Sequence, residues 1–319
     1  MNKNTPISPS TMVGRGGGGY SDNEILLLDR IDKIQAINKQ YNLLDNAYIS
    51  FSGGKDSTVL HYLIDLALPN NKIPRVYINT GIEYKSIVNF VKELAKQDDR
   101  IIIVNSGVNI KQMLEEKGYP FKSKEHSLKI GEWQKGSRAK SIVKYKEGIN
   151  FVCPKILQYQ FEDSFKLKLS SECCNELKKK PIKKWQKENH RTISITGMRR
   201  AEGGQRSNIN CIVTAKEGTL LKFHPLSVVN DSFEEWFINE YNIKLCELYY
   251  EPYNFIRTGC KGCPYAIELQ RELDVMAKFL PNERKQCETI WKPVYDEYRR
   301  IGYRLKERKK KNGKFDKAN

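Results

Sequence analysis

Residues 47–58 read AYISFSGGKDST, and this stretch decides the fold. Ala47-Tyr48-Ile49-Ser50-Phe51 is a short, mostly apolar run, which predicts a buried strand. Ser52-Gly53-Gly54-Lys55-Asp56-Ser57 then forms a tight, glycine-bearing turn. The residues from Thr58 to Leu68 predict a helix. A glycine-rich turn between a strand and a helix is an anion site. Its N–H groups point inward, and the helix N-terminus carries partial positive charge. Lys55 adds a mobile cation, and Ser52 and Ser57 add hydroxyl donors. The G-x4-G-K-[ST] spacing of a Walker A loop is absent.

The flanking sequence repeats the strand–helix alternation. Strands are predicted at 75–79 (RVYIN), 100–104 (RIIIV), 192–196 (TISIT) and 220–223. Helices are predicted at 84–96, 109–117, 155–165, 232–241, 267–279 and through much of 283–303. An earlier helix starts at Asp22, with Ser21 as N-cap. Ile25, Leu28, Ile31, Ile34, Ile37, Tyr41 and Leu44 recur along it at three- and four-residue steps. Residues 118–152 are polar and glycine-bearing, and read as a lid or an insertion. Alternation of this kind predicts parallel βαβ units, hence an α/β, Rossmann-like doubly wound sheet with a cysteine-bearing helical extension. The expected organisation is a disordered tail at 1–20, a main domain at 21–266, a helical extension at 267–303 and a basic tail at 304–319.

The chain has 319 residues, 39% hydrophobic and 29% charged. That composition excludes collagen-like, mucin-like and wholly disordered chains. No apolar run approaches the roughly 20 residues a bilayer span needs. The N-terminus has no apolar signal core, so a cytoplasmic location is expected. The net charge is +17. Residues 178–191 and 304–319 each carry a net +6 and hold most of it. Such runs suit nucleic acid, polyphosphate or an acidic partner, or form solvated faces.

The loop resembles the PP-loop of the ATP-pyrophosphatase superfamily, whose signature is S-G-G-x-D-S. Ser52, Gly53, Gly54, Asp56 and Ser57 match it fully. The resemblance implies ATP cleavage between the α- and β-phosphates, usually to adenylate an oxygen of the substrate. It implies that Ser52, Gly53, Gly54, Lys55 and Ser57 cradle phosphate, and that Asp56 helps to place Mg²⁺.

Eight cysteines in a chain without a secretory signal point to metal ligands, catalytic thiols or core residues rather than a disulfide framework. Cys173-Cys174 are adjacent, and Cys260-Lys261-Gly262-Cys263 is a CxxC. Four thiolates suit an iron–sulfur cluster or zinc, although zinc ribbons usually pair two CxxC knuckles. Cys153, Cys211 and Cys246 read as small buried hydrophobes.

These pairs resemble the phosphoadenosine phosphosulfate (PAPS) reductase family, whose adenosine-phosphosulfate-reducing branch ligates a [4Fe–4S] cluster through Cys-Cys and CxxC. The resemblance makes Cys173, Cys174, Cys260 and Cys263 the cluster ligands. Asn79-Thr80-Gly81-Ile82-Glu83 is similar to the family's D-T-G-x-E turn, with Asn79 in place of Asp. Residues 196–206 (TGMRRAEGGQR) are similar to its G-x-R-x-x-E-S-x-x-R segment, with Gly203 in place of Ser. Residues 221–226 (LKFHPL) are similar to its K-x-N-P-L stretch. Thr80, Gly81, Glu83 and Gly197 join the nucleotide site on this basis. Arg199 and Arg206 have the planar forks that bind phosphate or sulfate oxygens.

Two features depart from the family pattern. The E-C-G-L-H motif that carries the reductase nucleophile is missing. Cys287 is the remaining candidate, with Arg284 and Lys285 expected to lower its pKa. Reductase phosphate loops are commonly degenerate, whereas this one is intact. An intact loop with a cluster resembles the combination in tRNA thiolases and in the DNA phosphorothioation subunit. Three readings follow. The first is an ATP-cleaving enzyme for sulfur transfer, acting on tRNA or DNA, with a cysteine desulfurase as partner. The second is a PAPS or adenosine phosphosulfate reductase served by a thioredoxin-like reductant. The third is a non-catalytic nucleotide- or nucleic-acid-binding module.

Overall fold

The fold is known from a computed structural model, which describes residues 19–148 and 153–306. Nearly all of the N-terminal tail and of the basic C-terminal tail lies outside the described residues. Helix α1 (Asp22–Tyr41) starts at a capping box. Ser21 Oγ accepts from Glu24 N at 3.3 Å, and the Glu24 carboxylate accepts from Ser21 N at 2.8 Å. Its buried stripe is Leu27, Ile31, Ile34 and Ile37, while Ile25 is 54% exposed. The expected stripe was thus right in its centre and misplaced at Ile25 and at Leu44, which is exposed beyond the end of the helix. A single helical turn, α2 (Leu43–Asn46), leads into the sheet.

Strand β1 (Ala47–Phe51) is followed by α3 (Lys55–Ala67), β2 (Arg75–Asn79), α4 (Lys85–Gln97) and β3 (Ile101–Asn105). Later come α8 (Lys180–Glu188), β4 (Ile193–Ile195), β5 (Ile212–Thr214), β6 (Leu220–Phe223) and α9 (Asp231–Glu240). The six strands lie in the order β3-β2-β1-β4-β6-β5. All neighbours are parallel except β5, which runs antiparallel to β6. Register pairs Ile49 with Arg75 on one side, and Ile49 with Ile195 on the other.

This is the doubly wound α/β sheet that the alternation predicts. Both faces are covered, as a parallel sheet requires. Leu27 and Ile34 of α1, Leu60 and Ile64 of α3, and Phe233 and Phe237 of α9 share one core with Ile49 and Ile195. Tyr48 and Val76 pack with Trp185 of α8 in a second cluster, where Tyr48 and Trp185 meet edge-on at 5.4 Å between ring centres. The chain order reverses between β1 and β4. The crevice at their C-terminal ends is where such sheets bind ligands.

The chain divides into two compact units, crossing after Ser106, Leu177 and Gly259. The first holds the sheet. The described part of the second is helical: α5 (Ile110–Lys117), α6 (Lys124–Gln134), α7 (Lys140–Glu147), a 3-10 helix (Lys155–Phe161), α10 (Leu269–Phe279), α11 (Pro281–Ile290) and α12 (Lys292–Arg300). The predicted 283–303 helix is interrupted at Trp291. Pro293 cannot donate to the preceding turn, so a new helix starts with proline in its first turn. Among the described residues, no helix is long and apolar enough to cross a membrane.

Candidate functional site: the phosphate loop and the cysteine pairs

The turn after β1 is braced from within. Ser57 Oγ accepts from Ser52 N at 3.2 Å and donates to Gly54 O at 2.9 Å, and Thr58 Oγ1 donates to the same carbonyl at 3.0 Å. Gly54 N donates to Ser52 Oγ at 3.3 Å. The serine hydroxyls therefore hold the loop's shape. Gly53 sits at φ +69°, and a Cβ there would lie 2.7 Å from Val91 Cγ2 and 3.1 Å from Ile87 Cγ2. Only glycine meets both demands. Gly53→Ala should cost about 2–4 kcal/mol, combining the left-handed penalty with overpacking. Denaturant unfolding measures it, and a loss under about 1 kcal/mol would mean that the loop can relax.

Tyr249, which sequence reasoning missed, closes the loop from the side. Its hydroxyl accepts from Lys55 N at 2.9 Å and shares a 2.6 Å bond with Thr258 Oγ1. Burial pushes its pKa up to about 12, so it stays a neutral hydroxyl. A second missed residue is Glu234, fully buried on α9. Its Oε2 lies 2.9 Å from Lys55 Nζ and 3.1 Å from Arg199 Nη2. Arg199 also reaches Asp56 Oδ1 at 2.6 Å through Nε, and Asp231 Oδ1 at 2.8 Å through Nη1. Three carboxylates thus face two cations. Burial, then the charge of Asp56, raises the Glu234 pKa to about 7, with Lys55 and Arg199 pulling against them.

The remaining predicted residues are placed as follows. Gly197, just after β4, lets that loop touch the phosphate loop: a Cβ would be 2.8 Å from Asp56 O. Arg199 is 4% exposed, and its fork is spent on carboxylates in this structure. Arg206 pairs with Glu202, as does Arg257. Thr80 donates to the Glu83 carboxylate twice, through N at 3.0 Å and Oγ1 at 2.7 Å. Asn79 Oδ1 accepts from Gly81 N at 3.2 Å, the acceptor role that an aspartate would also fill. A cavity of about 220 Å³ lies on one side of the loop, lined by Ser52, Glu83, Lys178 and Thr258 among others. A wider cleft of about 670 Å³ opens beside Lys55, Asp56, Arg199 and Tyr249.

All four predicted ligand cysteines fall in the second unit. Burial drives the Cys263 thiol well above its usual range, and Cys260, Cys174 and Cys173 push it further the same way. The Cys263 sulfur therefore senses the other three predicted ligands. Among the described residues, no group of three His, Cys, Asp or Glu side chains is already arranged to hold a metal ion. Cys287 is fully buried. Burial pushes its thiol up to about 12, against the pull of Lys261. The expected activation by Arg284 is absent, because that guanidinium turns to Glu288 at 2.7 Å and to Leu273 O at 2.6 Å. Cys153 and Cys246 are buried as expected, and Cys211 is half-buried.

A mostly parallel sheet with an SGGKDS turn at its switch point defines a Rossmann-like α/β domain. The chain belongs to the phosphoadenosine phosphosulfate reductase domain family, whose model matches residues 46–152 and 146–266. An uncharacterized protein of Methanocaldococcus jannaschii is 36% identical over 103 residues, 30% of this chain. The match spans a quarter of that relative's length. Among solved structures, a PAPS reductase from Candida auris in a phosphate complex is 15% identical at a TM-score of 0.39, covering 73% of this chain and 93% of that one. The U34-tRNA thiolase NcsA from Methanococcus maripaludis, with its [4Fe-4S] cluster, is 16% identical at a TM-score of 0.38, covering 95% and 88%. The FMN adenylyltransferase of Candida glabrata is 15% identical at 0.44, covering 75% and 64%.

Proposed function

We propose that this protein is an enzyme that cleaves ATP to AMP and pyrophosphate, adenylating a substrate for sulfur transfer. The observation that carries the reading is the intact loop with its lysine. Lys55 begins α3, where the helix dipole and the loop N–H groups favour anions. Its ammonium is held by Glu234 in a position to meet a phosphate. In this reading Ser52, Gly53, Gly54 and Ser57 shape the cradle, and Gly197 keeps the β4 loop close. Glu83 lines the cavity beside the loop, and Thr80 and Gly81 shape the turn that carries it. Asp56 helps to place Mg²⁺. Arg199 and Arg206 exchange carboxylates for phosphate oxygens as charge develops.

Cys173, Cys174, Cys260 and Cys263 would hold a [4Fe–4S] cluster, with zinc as the alternative. What supports this is the chemistry of the donor set, an adjacent thiol pair and a CxxC whose tight turn Gly262 permits at φ +59°, although among the described residues the side chains are not already arranged around an ion. When bound, a cluster supplies iron sites or electrons for handling sulfur. The acceptor class favoured by charge is nucleic acid, tRNA or DNA. Lys180, Lys183, Lys184 and Lys187 of α8 are exposed around a buried Trp185. A cysteine desulfurase would supply the sulfur.

The family name favours a second reading, a sulfonucleotide reductase releasing sulfite with a thioredoxin-like reductant. The burial of Cys287 and its raised pKa weigh against it. The test is nucleotide discrimination on anaerobically purified protein. ATP with Mg²⁺ competes against PAPS and adenosine phosphosulfate, and pyrophosphate and sulfite are both assayed. ATP preference with pyrophosphate release is expected. Sulfonucleotide preference with sulfite release, lost in Cys287→Ser, would replace this reading with the second. Binding without any turnover would leave a non-catalytic module.

A further inference from the structure

The helical unit carries a charge excess that the phosphate loop does not use. Residues 122–148 hold eight basic and three acidic side chains, a net of +5. Part of this excess lines a groove of about 420 Å³ between α6 and residues 162–169, all within one unit. Lys135, Arg138, Lys166 and Lys168 line it against Glu162 and Asp163. The walls are fixed to each other. Gln134 Nε2 donates to Leu167 O at 2.8 Å, and its Oε1 accepts from Leu169 N at 3.0 Å. A Cβ on Gly131 would run into Leu169 O, so glycine permits this close approach.

Arg138 is the cation held most firmly. Its Cζ lies 3.6 Å from the centre of the Trp133 ring, and its Nη1 donates to Trp133 O and Ser137 O, each at 3.1 Å. The indole is itself anchored, because Trp133 Nε1 donates to Phe161 O at 2.9 Å. Lys146 of α7 lies 4.4 Å from the same ring. Lys135 pairs with Glu132 at 2.9 Å, and Lys168 Nζ donates to Glu116 O. By contrast, Arg138, Lys146 and Lys166 are exposed and pair with no carboxylate among the described residues. An exposed arginine usually loses side-chain freedom when it binds a partner. Here stacking and two carbonyl bonds have already removed that freedom, while the charge stays unneutralised.

We propose that this groove binds the phosphodiester backbone of a nucleic acid, with Arg138 as the anchoring fork and Lys166 and Lys146 as flanking phosphate contacts. A guanidinium held in place offers parallel N–H donors to phosphate oxygens. The cations do not converge on one point, as a small anion would need. They continue along α7 through Lys140 and Lys144, one turn apart, or about 6 Å along the axis. Such a spread suits a chain of evenly spaced charges. The inference shares with the proposed function only its nucleic acid partner. It adds a contact surface on a different unit from α8 and does not depend on ATP cleavage.

The experiment titrates the full chain into a fluorescein-labelled single-stranded RNA of about 20 nucleotides, with anisotropy read between about 50 and 200 mM salt. A DNA of the same sequence is run beside it. Arg138→Ala should weaken binding about 10-fold and reduce the slope of log K against log salt by about 0.7, one phosphate contact. Lys166→Ala should weaken it about 3- to 5-fold with a similar loss of slope. Arg138→Lys keeps the charge without the stacked fork and should fall between Arg138→Ala and wild type. Lys39→Ala removes one exposed charge from α1, in the other unit, and should match wild type. Both groove side chains are exposed, so their removal leaves the fold intact. If wild type binds and both groove alanine variants match Lys39→Ala in affinity and slope, the groove is wrong, and nucleic acid binding through α8 stands. If wild type binds neither strand, the nucleic acid premise fails and the groove with it. Displacement of the RNA by equimolar tripolyphosphate, or by poly-glutamate, would give the groove to a free polyphosphate or to an acidic protein instead.

Discussion

Lys55→Ala should lower pyrophosphate release from ATP by about 10²- to 10³-fold, the usual cost of removing one preorganised charge from a developing anion. Two contacts argue for so large an effect. The Lys55 backbone N–H is held by Tyr249 at 2.9 Å, and the ammonium is held by Glu234 at 2.9 Å. The side chain is thus held beside the loop before any phosphate arrives, and it passes from Glu234 to the phosphate as nucleotide binds. Lys55→Arg keeps the charge but not the compact ammonium that fits over Glu234, and should recover only part of the rate. Anaerobic steady-state assays of pyrophosphate, with nucleotide affinity measured separately, distinguish lost binding from lost turnover. Unchanged pyrophosphate release in Lys55→Ala would remove the loop lysine from the mechanism.

How much of this was legible beforehand depended on whether the signal was local. The phosphate loop is written in consecutive residues, and its glycine requirement follows from the backbone alone. Gly53 was therefore readable in kind, although its crowding by Ile87 and Val91 was not. Strand β1 and its helix were equally clear. Strand β5 escaped because it is a three-residue edge with a register shift between Val213 and Thr214, too short for alternation to show. The 118–152 region reads as polar insertion, yet α6 and α7 occupy most of its described part. Ser123 caps α6 by accepting from His126 N at 3.1 Å, a cue hidden among other polar residues. Tyr249 and Glu234 are distant in sequence from the loop they complete. Glu234 left one faint trace, an acidic residue between Phe233 and Phe237 on the apolar face of α9. Cys287 shows the opposite error. Its basic neighbours predicted activation, and burial outweighed them.

Replacing Glu234 should have two separable consequences. Glu234→Leu removes the fully buried carboxylate that Lys55 and Arg199 share and should destabilise the fold by about 3–5 kcal/mol, the range for breaking a buried pair from one side. Glu234→Gln keeps the shape and an acceptor oxygen, and should cost less. The glutamine variant then reads the proton. In the native state the Glu234 carboxyl titrates near 7 rather than 4.5, because burial and Asp56 both oppose its charge. The folded chain therefore keeps a proton that the unfolded chain has already lost. This contribution to stability is complete below about 4.5 and disappears as pH rises through about 7. Unfolding free energy should fall across that window in wild type, and the fall should be shallower in Glu234→Gln. Equal slopes in the two proteins would assign the proton elsewhere. The same proton bears on chemistry. Arg199 and Lys55 can turn toward a phosphate only if the carboxylates they leave are neutralised. Glu234 is a carboxylate that already holds its proton up to about pH 7. Proton uptake on nucleotide binding, measured as a buffer-dependent heat, should therefore be present in wild type and reduced in Glu234→Gln. Its absence in wild type would mean that the cations stay on their carboxylates and that the loop N–H groups bind phosphate alone.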